Sequence, residues 1–434
     1  MIAIFRKLDT MDITLKIDSL SYGPYGIGRD EGRVVMVPLT APGDEAEVRI
    51  VEEKKNYAIG ELTRLLRPSP LRQNPPCPYF GSCGGCLWQQ IQYQEQLAAK
   101  EKSVLDALQR IGRLEGFQTF PILTSPKEYH YRRRIRLQVD AQKRIGFYQP
   151  FSKDLIEIDS CLIADPEINR RLSLAGEWIG KLKTPIRHVE IAVGDKEIQT
   201  VMTGNASGDL SPRDNSVCAE FLTGAKEING LILSGSGWRQ IWGNGKLSLG
   251  LQDDLISEVD GDVFTQVNRE GNELLVGVLL DWGGFHPKDR VLELYCGAGN
   301  ITLPVARLCG RITAVEANAP SIISAERNGR LNKLGTISWI CSDVVKALGG
   351  LVKRRKRFSK IILNPPRSGA KGLAAALASL GAEKILYVSC NPATLARDLS
   401  ALCSKGYNLT RVRPIDIFPH TYHVETLAEL VRSA

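Results

Sequence analysis

The stretch Arg290-Val-Leu-Glu-Leu-Tyr295-Cys-Gly-Ala-Gly-Asn300-Ile-Thr-Leu decides the fold of the C-terminal third. Arg290 to Tyr295 predicts a strand, Cys296 to Asn300 a tight turn, and Ile301 to Leu308 the start of a helix. Glycines in that turn let a ligand approach the backbone. The next strand, Arg311 to Val315, ends in Glu316, about 20 residues beyond the turn's start, where an acid can bind both hydroxyls of a ribose. A third strand (Ile337–Cys341) ends in Ser342-Asp343, and a fourth (Lys360–Leu363) in Asn364-Pro-Pro-Arg367. A fifth, Lys384-Ile-Leu-Tyr-Val-Ser389, runs into Cys390-Asn-Pro392, which cannot continue a strand. Strands alternating with helices, each strand ending in chemically useful residues, predict a doubly wound sheet with ligands at its carboxyl edge.

A lone G-x-G is a weak signal. With Glu316, Asp343 and Asn-Pro-Pro following in order, it resembles the class I S-adenosylmethionine-dependent methyltransferases. A dinucleotide oxidoreductase is disfavoured because the third glycine of its fingerprint is absent.

Working outward, a chain of 434 residues with 43% hydrophobic and 24% charged residues is that of an ordinary globular protein of two or three domains. No run approaches the ~18 apolar residues of a membrane span. Met1 to Thr10 contains no apolar leader, so a cytoplasmic location is expected, with no membrane partner. The ten cysteines are then read as reduced, catalytic or metal-bound before disulfide-bonded. A net charge of +8 fits a polyanionic partner.

Residues 11–70 predict a small OB-like β barrel, with alternating segments at Ile13–Ile17, Val34–Val37, Glu45–Val51 and Tyr57–Leu65 separated by glycine and proline turns. The pattern Tyr22-Gly-Pro-Tyr-Gly-Ile-Gly28-Arg29, Gly32-Arg-Val-Val-Met-Val-Pro38 and Pro42-Gly43-Asp44 resembles the TRAM domain, an RNA-binding barrel. Residues 71–265 predict a central α+β domain. It opens with Cys77-Pro-Tyr-Phe-Gly-Ser-Cys83-Gly-Gly-Cys86, three thiols in a loop with little core to enter. Zinc and an iron–sulfur cluster both fit that spacing, and both want a fourth ligand, for which Cys161 is the best candidate. Ile91 to Ile111 predicts an amphipathic helix. Tyr129 to Val139 predicts a strand with Arg132, Arg134, Arg136 and Gln138 on one face, an arginine-covered surface suited to RNA. The run Lys353-Arg-Arg-Lys-Arg357 reads as a solvated loop.

Together, Phe264-Thr-Gln266-Val-Asn268, Asn364-Pro-Pro-Arg-Ser-Gly, Val388-Ser-Cys390-Asn-Pro-Ala-Thr-Leu-Ala-Arg-Asp and His423-Val-Glu425-Thr resemble the RNA 5-methyluridine methyltransferases over nearly the whole chain. The likeness is to the branch that carries a TRAM domain and a [4Fe–4S] cluster and modifies 23S ribosomal RNA. It implies a methyltransferase domain over residues 266–434 and cluster ligands at Cys77, Cys83, Cys86 and Cys161. It implies S-adenosylmethionine contacts at Gln266, Tyr295, Asn300, Glu316 and Asp343, a nucleophile at Cys390 and a base at Glu425. Asn364 falls at a further cofactor-side position, where the family usually has aspartate, so a charge is missing there.

The chemistry explains the residue types. C5 of uracil becomes nucleophilic only after a thiolate adds to C6, and the C5 proton must then leave to a carboxylate. The rival readings are the same chemistry on transfer RNA, a cytosine-C5 enzyme and a non-catalytic RNA-binding assembly factor. The cytosine class places a cysteine after Pro-Pro, where this chain has Arg367. RNA is the expected partner of a chain acting as a monomer, with no obligate protein partner.

Overall fold

The alternation over residues 12–67 closes on itself. In the computed structural model, which describes residues 12–195 and 199–433, five strands form a barrel. They are β1 (Asp12–Leu20), β2 (Tyr25–Asp30), β3 (Arg33–Pro38), β4 (Glu45–Glu53) and β5 (Tyr57–Arg67), in the order β1-β2-β3-β5-β4. Every second side chain turns inward, so Leu15, Ile17, Val35, Val37, Ala46, Val48 and Ala58 fill the barrel. Gly28 is required where β1 crosses closely, since a Cβ there would stand 2.4 Å from the Lys16 carbonyl oxygen. The reading of Met1–Thr10 lies outside the described residues.

Helix α1 (Tyr93–Arg110) follows the cysteine loop, then the two-residue strand β6 (Gln118–Thr119). The central sheet is built from β7 (Arg134–Val139), β8 (Ile145–Tyr148), β9 (Leu155–Ile156), β10 (Ile186–Val193), β11 (Thr200–Ala206), β12 (Gly230–Gly235) and β13 (Trp238–Gly243). Helices α2 (Pro166–Asn169), α3 (Leu172–Lys181) and α4 (Arg213–Gly224) accompany it, with Trp178 and Phe221 in its core. A hairpin, β14 (Lys246–Gly250) and β15 (Ile256–Asp260), joins the central sheet to the C-terminal one, through a shared cluster of Val201, Leu247, Val259 and Ala298.

The C-terminal unit comprises α5 (Arg269–Gly283), β16 (Arg290–Leu294), α6 (Thr302–Leu308), β17 (Arg311–Glu316), α7 (Ala319–Leu331), β18 (Ile337–Cys341), α8 (Val344–Lys353), β19 (Lys360–Leu363), α9 (Ala374–Ser379), β20 (Lys384–Ser389), α10 (Pro392–Cys403), β21 (Tyr407–Ile415) and β22 (Glu425–Arg432). Its sheet has the order β18-β17-β16-β19-β20-β22-β21-β6. The first five run parallel, with β22 antiparallel between β20 and β21. Strand order reverses between β16 and β19, the point at which open α/β sheets take ligands. Helix α1, although it lies within the residues read as the central domain, packs on this sheet: Val104, Ala107 and Leu108 join its core beside Leu395 and Leu399 of α10.

The arginine-covered face is corrected by the structure. Arg134 is buried and donates to Glu190 at 3.0 Å and to the Val263 carbonyl at 2.9 Å. Arg136 donates to the same Glu190, its register partner on β10, at 2.7 Å. Arg132 donates to the Arg134 carbonyl and lines the cavity beside the cysteine loop. A neighbouring strand and the segment around Val263 thus take Arg134 out of the predicted RNA surface, whereas Arg136 stays exposed beside Glu190.

Candidate active site and cysteine cavity

Parallel register brings the functional strand ends into one row. Leu294 pairs with Val315 and Leu363, and Glu316 with Cys341, so Tyr295–Asn300, Glu316, Asp343 and Asn364 share the carboxyl edge. The turn after β16 is sharply bent, with positive φ at Tyr295 (65°), Gly297 (56°) and Gly299 (95°). It is held from the next strand, because Gly297 N–H donates to Glu316 Oε2 at 3.1 Å and Asn318 N–H to Oε1 at 2.9 Å. Each oxygen of Glu316 keeps capacity for a ligand hydroxyl. Asp343 caps α8 by accepting from Lys346 N–H at 3.1 Å. Asn300 exchanges two amide hydrogen bonds with Asn272 of α5, at 2.8 and 2.9 Å. Asn364 is half-buried just past β19, its N–H reaching the Leu294 carbonyl at 3.4 Å. Gln266 lies just before α5, its carbonyl accepting from Arg133 at 3.0 Å.

Cys390 stands at the end of β20. Asn391 caps α10 immediately afterwards, accepting from Ala393 and Thr394 N–H, so the thiol sits beside a helix N-terminus, a favourable place for a thiolate. Ser389 pairs with Thr426 of antiparallel β22, whose first residue, Glu425, lies near enough for its charge to act on the Cys390 thiol. Burial pushes the Cys390 thiol up, the Glu425 carboxylate raises it further, and Arg367 opposes both. Glu425 is only 5% exposed. Burial raises its carboxyl to about 8, with Arg367 again pulling it down.

Three neighbours of this pair carried no role in the sequence reading. Arg367, following Asn364-Pro-Pro, shares a hydrogen bond of 3.1 Å with His423 Nε2. Burial and the charge of Arg367 hold His423 neutral, at about 3, so Nε2 is the acceptor. Tyr22 comes from the barrel, and its hydroxyl donates to the Cys390 carbonyl at 2.8 Å while its ring packs edge-on against Tyr422. A contact spanning 368 residues leaves no local signal.

The loop from Ile415 to Glu425 is braced from below. Fully buried Lys100 of α1 donates to Asp416 Oδ1 at 2.7 Å and to the Phe418 carbonyl at 3.0 Å. Tyr93 donates to Asp416 Oδ2 at 2.8 Å. Asn268, which caps α5, donates to the Ile417 carbonyl at 2.9 Å.

Cys77, Cys83, Cys86 and Cys161 all wall one cavity of about 110 Å³, and none is disulfide-bonded. Burial raises Cys83 to about 11 and Cys86 to about 12, and neighbouring thiols push both in the same direction. Thiols raised in this way become thiolates only against added positive charge. Among the described residues no three His, Cys, Asp or Glu side chains close on a single ion.

Comparison with known proteins agrees with this architecture. Residues 246–433 match the tRNA (uracil-5-)-methyltransferase family and residues 12–63 the TRAM domain. The chain is 33% identical to the 23S rRNA (uracil(1939)-C(5))-methyltransferase of Histophilus somni, across 99% of this chain and 98% of that protein. The chain belongs to the RNA uracil-C5 methyltransferase family. Its members use S-adenosylmethionine. An uncharacterized RNA methyltransferase of Thermosynechococcus vestitus is 34% identical over 97% of the chain and 98% of its own length. The fold matches that of the Pyrococcus abyssi tRNA (uracil-54, C5)-methyltransferase in complex with S-adenosyl-L-homocysteine, with TM-score 0.73 and 25% identity, covering 97% of this chain and all of that one. Among the described residues no helix is long and apolar enough to cross a membrane.

Proposed function

We propose that this chain transfers a methyl group from S-adenosylmethionine to C5 of a uridine in 23S ribosomal RNA, with Cys390 as nucleophile and Glu425 as base. The observation that carries the reading is the proximity of Cys390, just past the end of β20, to the buried carboxyl of Glu425 at the start of antiparallel β22, whose charge acts on the thiol beside Arg367. The 23S-directed relatives aligned along almost the full chain support the choice of RNA.

The Cys390 thiolate bonds to C6, and the C5–C6 π electrons move to give an enolate at O4. C5 then attacks the sulfonium methyl, whose bond to sulfur breaks and leaves S-adenosylhomocysteine. Glu425 takes the C5 proton, the C6–Sγ bond breaks, and the C5–C6 double bond returns. Arg367 favours both anions, the thiolate and the ionised carboxyl. Tyr295, Asn300, Glu316, Asp343 and Asn364 bind S-adenosylmethionine along the carboxyl edge, with Gln266 contributing from the segment before α5. Phe264, 72% exposed beside Gln266, offers a face on which a base can stack.

Cys77, Cys83, Cys86 and Cys161 would hold a [4Fe–4S] cluster, which when bound cross-links the loop to the strand end at Cys161. A cavity walled by four thiols suits a multi-atom cluster better than one zinc ion, whose sulfur ligands all lie at about 2.3 Å. Anaerobically purified protein should be brown and hold about four irons per chain. Stoichiometric zinc without visible absorbance would defeat this assignment. The division along the chain is 11–70, 71–265 and 266–434, with α1 and β6 of the second part packed on the third, in a monomer acting on ribosomal RNA in the cytoplasm.

The deciding experiment uses denaturing gels and RNA mass spectrometry. Cys390→Ala should abolish transfer and any adduct with 5-fluorouridine RNA. Glu425→Gln should accumulate a denaturation-resistant complex carrying the methyl group. An adduct surviving in Cys390→Ala would move the nucleophile elsewhere. Deletion of the gene should remove a methyl group from 23S ribosomal RNA, and loss from transfer RNA alone would overturn the substrate.

A further inference from the structure

The edge of the C-terminal sheet opposite the catalytic row is basic. Arg290 and Arg311, the first residues of β16 and β17, are direct partners in the parallel register. Like charges opposite one another on neighbouring strands weaken a sheet. Both line a cleft of about 200 Å³ together with Arg354 and Lys356, which follow α8. The cleft also holds the Ser338 hydroxyl and contains no Asp or Glu in its walls. All four cations are exposed, and among the described residues none forms a salt bridge. The nearby Asp289 is committed to Lys360 at 2.5 Å. The cations continue past the cleft: Lys353, Arg355 and Arg357 are exposed, and Arg357 and Arg432 both lie close to Gly381.

We infer that this cleft is an anchoring site for the phosphodiester backbone of the substrate RNA, engaging a segment distant from the target uridine. Paired guanidinium forks match phosphate oxygens, and an unneutralised arginine pair across a ladder is relieved by an anion between the two side chains. The extension of the basic band beyond the cleft fits an extended polyanion better than a free phosphate. Strands of about five residues place the cleft roughly 15–20 Å from the catalytic edge, on the order of five nucleotides of strand rise. The target base enters at the carboxyl edge, so this site grips flanking RNA and does not touch the reacting atoms. The inference rests on the reading of this chain as an enzyme acting on a large RNA.

The test uses the full chain, with a long 23S transcript and a short stem-loop centred on the mapped uridine. Arg311→Gln/Arg354→Gln should weaken binding of the transcript about tenfold and lower the slope of log Kd against log salt by about 2. Binding of the stem-loop, S-adenosylmethionine affinity and kcat should stay unchanged. The melting temperature should hold or rise, since repulsion is removed. Arg290→Gln alone should lower the salt slope by about 1. Equal affinity of variant and wild type for the transcript would overturn the inference, and so would equal weakening on both RNAs. A wild-type enzyme that methylates neither RNA would instead overturn the substrate reading on which the site depends.

Discussion

Replacing Lys100 with methionine should be among the most damaging single changes outside the catalytic centre. The ammonium and its partner Asp416 are both wholly shielded from solvent, and their 2.7 Å contact joins α1 to the loop that leads into Glu425. Methionine fills similar space but leaves Asp416 with two neutral donors, the Tyr93 hydroxyl and Phe418 N–H. Stranding one member of a buried ion pair costs about 3–5 kcal/mol. At about 2–4 °C per kcal/mol for a unit of this size, the melting temperature should fall by roughly 6–20 °C. Asp416→Asn should be milder, because burial already lowers the pKa of Lys100 and the amine can shed its proton. Thermal unfolding with S-adenosylmethionine saturation measures the loss, and kcat should fall with it as the loop loosens. A double-mutant cycle should give a coupling above about 2 kcal/mol. A loss below about 1 kcal/mol for Lys100→Met would show that the brace carries little, and the account of how Glu425 is held would fail.

Three further outcomes follow from the site. With Glu425 near 8 and Cys390 also raised by burial, both bases gain population as pH climbs, so kcat/KM should rise between pH 7 and 9; a profile falling over that range would contradict the assigned roles. Tyr22→Phe removes one hydrogen bond to the Cys390 carbonyl, worth about 0.5–1.5 kcal/mol, and should lower kcat roughly two- to tenfold with RNA affinity unchanged; unchanged kcat with weakened RNA binding would make Tyr22 a docking contact only. Arg134→Met should lower the melting temperature by stripping Glu190 of a buried partner, while the folded fraction binds RNA normally; a selective loss of RNA affinity in a protein of wild-type stability would restore the RNA-surface reading.

Local pattern was legible wherever one element made the decision. The barrel strands, the turn after β16 and the succession of strand ends at Glu316, Asp343, Asn364 and Cys390 all follow from periodicity and breakers that act within ten residues or so. A parallel sheet then lines those ends up along one edge without further instruction, because each crossover returns the chain in the same direction. The spacing of Cys77, Cys83 and Cys86 likewise announced a shared environment, and Cys161 joins them on the same cavity.

What the chain alone decided is therefore the class of fold and the residue types at the carboxyl edge. Tertiary structure decided which side chains face each other. The arginines at 132, 134 and 136 alternate like a solvated face, yet Glu190 arrives from 54 residues away to neutralise two of them. Tyr22 reaches Cys390 from another domain, and α1 packs on a sheet whose strands mostly begin well beyond it. Arg290 and Arg311, unremarkable as strand beginnings, become an unneutralised pair only once β16 and β17 lie side by side. The physical reason is the same in each case. Periodicity reports how one element meets solvent, whereas charge pairing and burial depend on which distant segment occupies the other side.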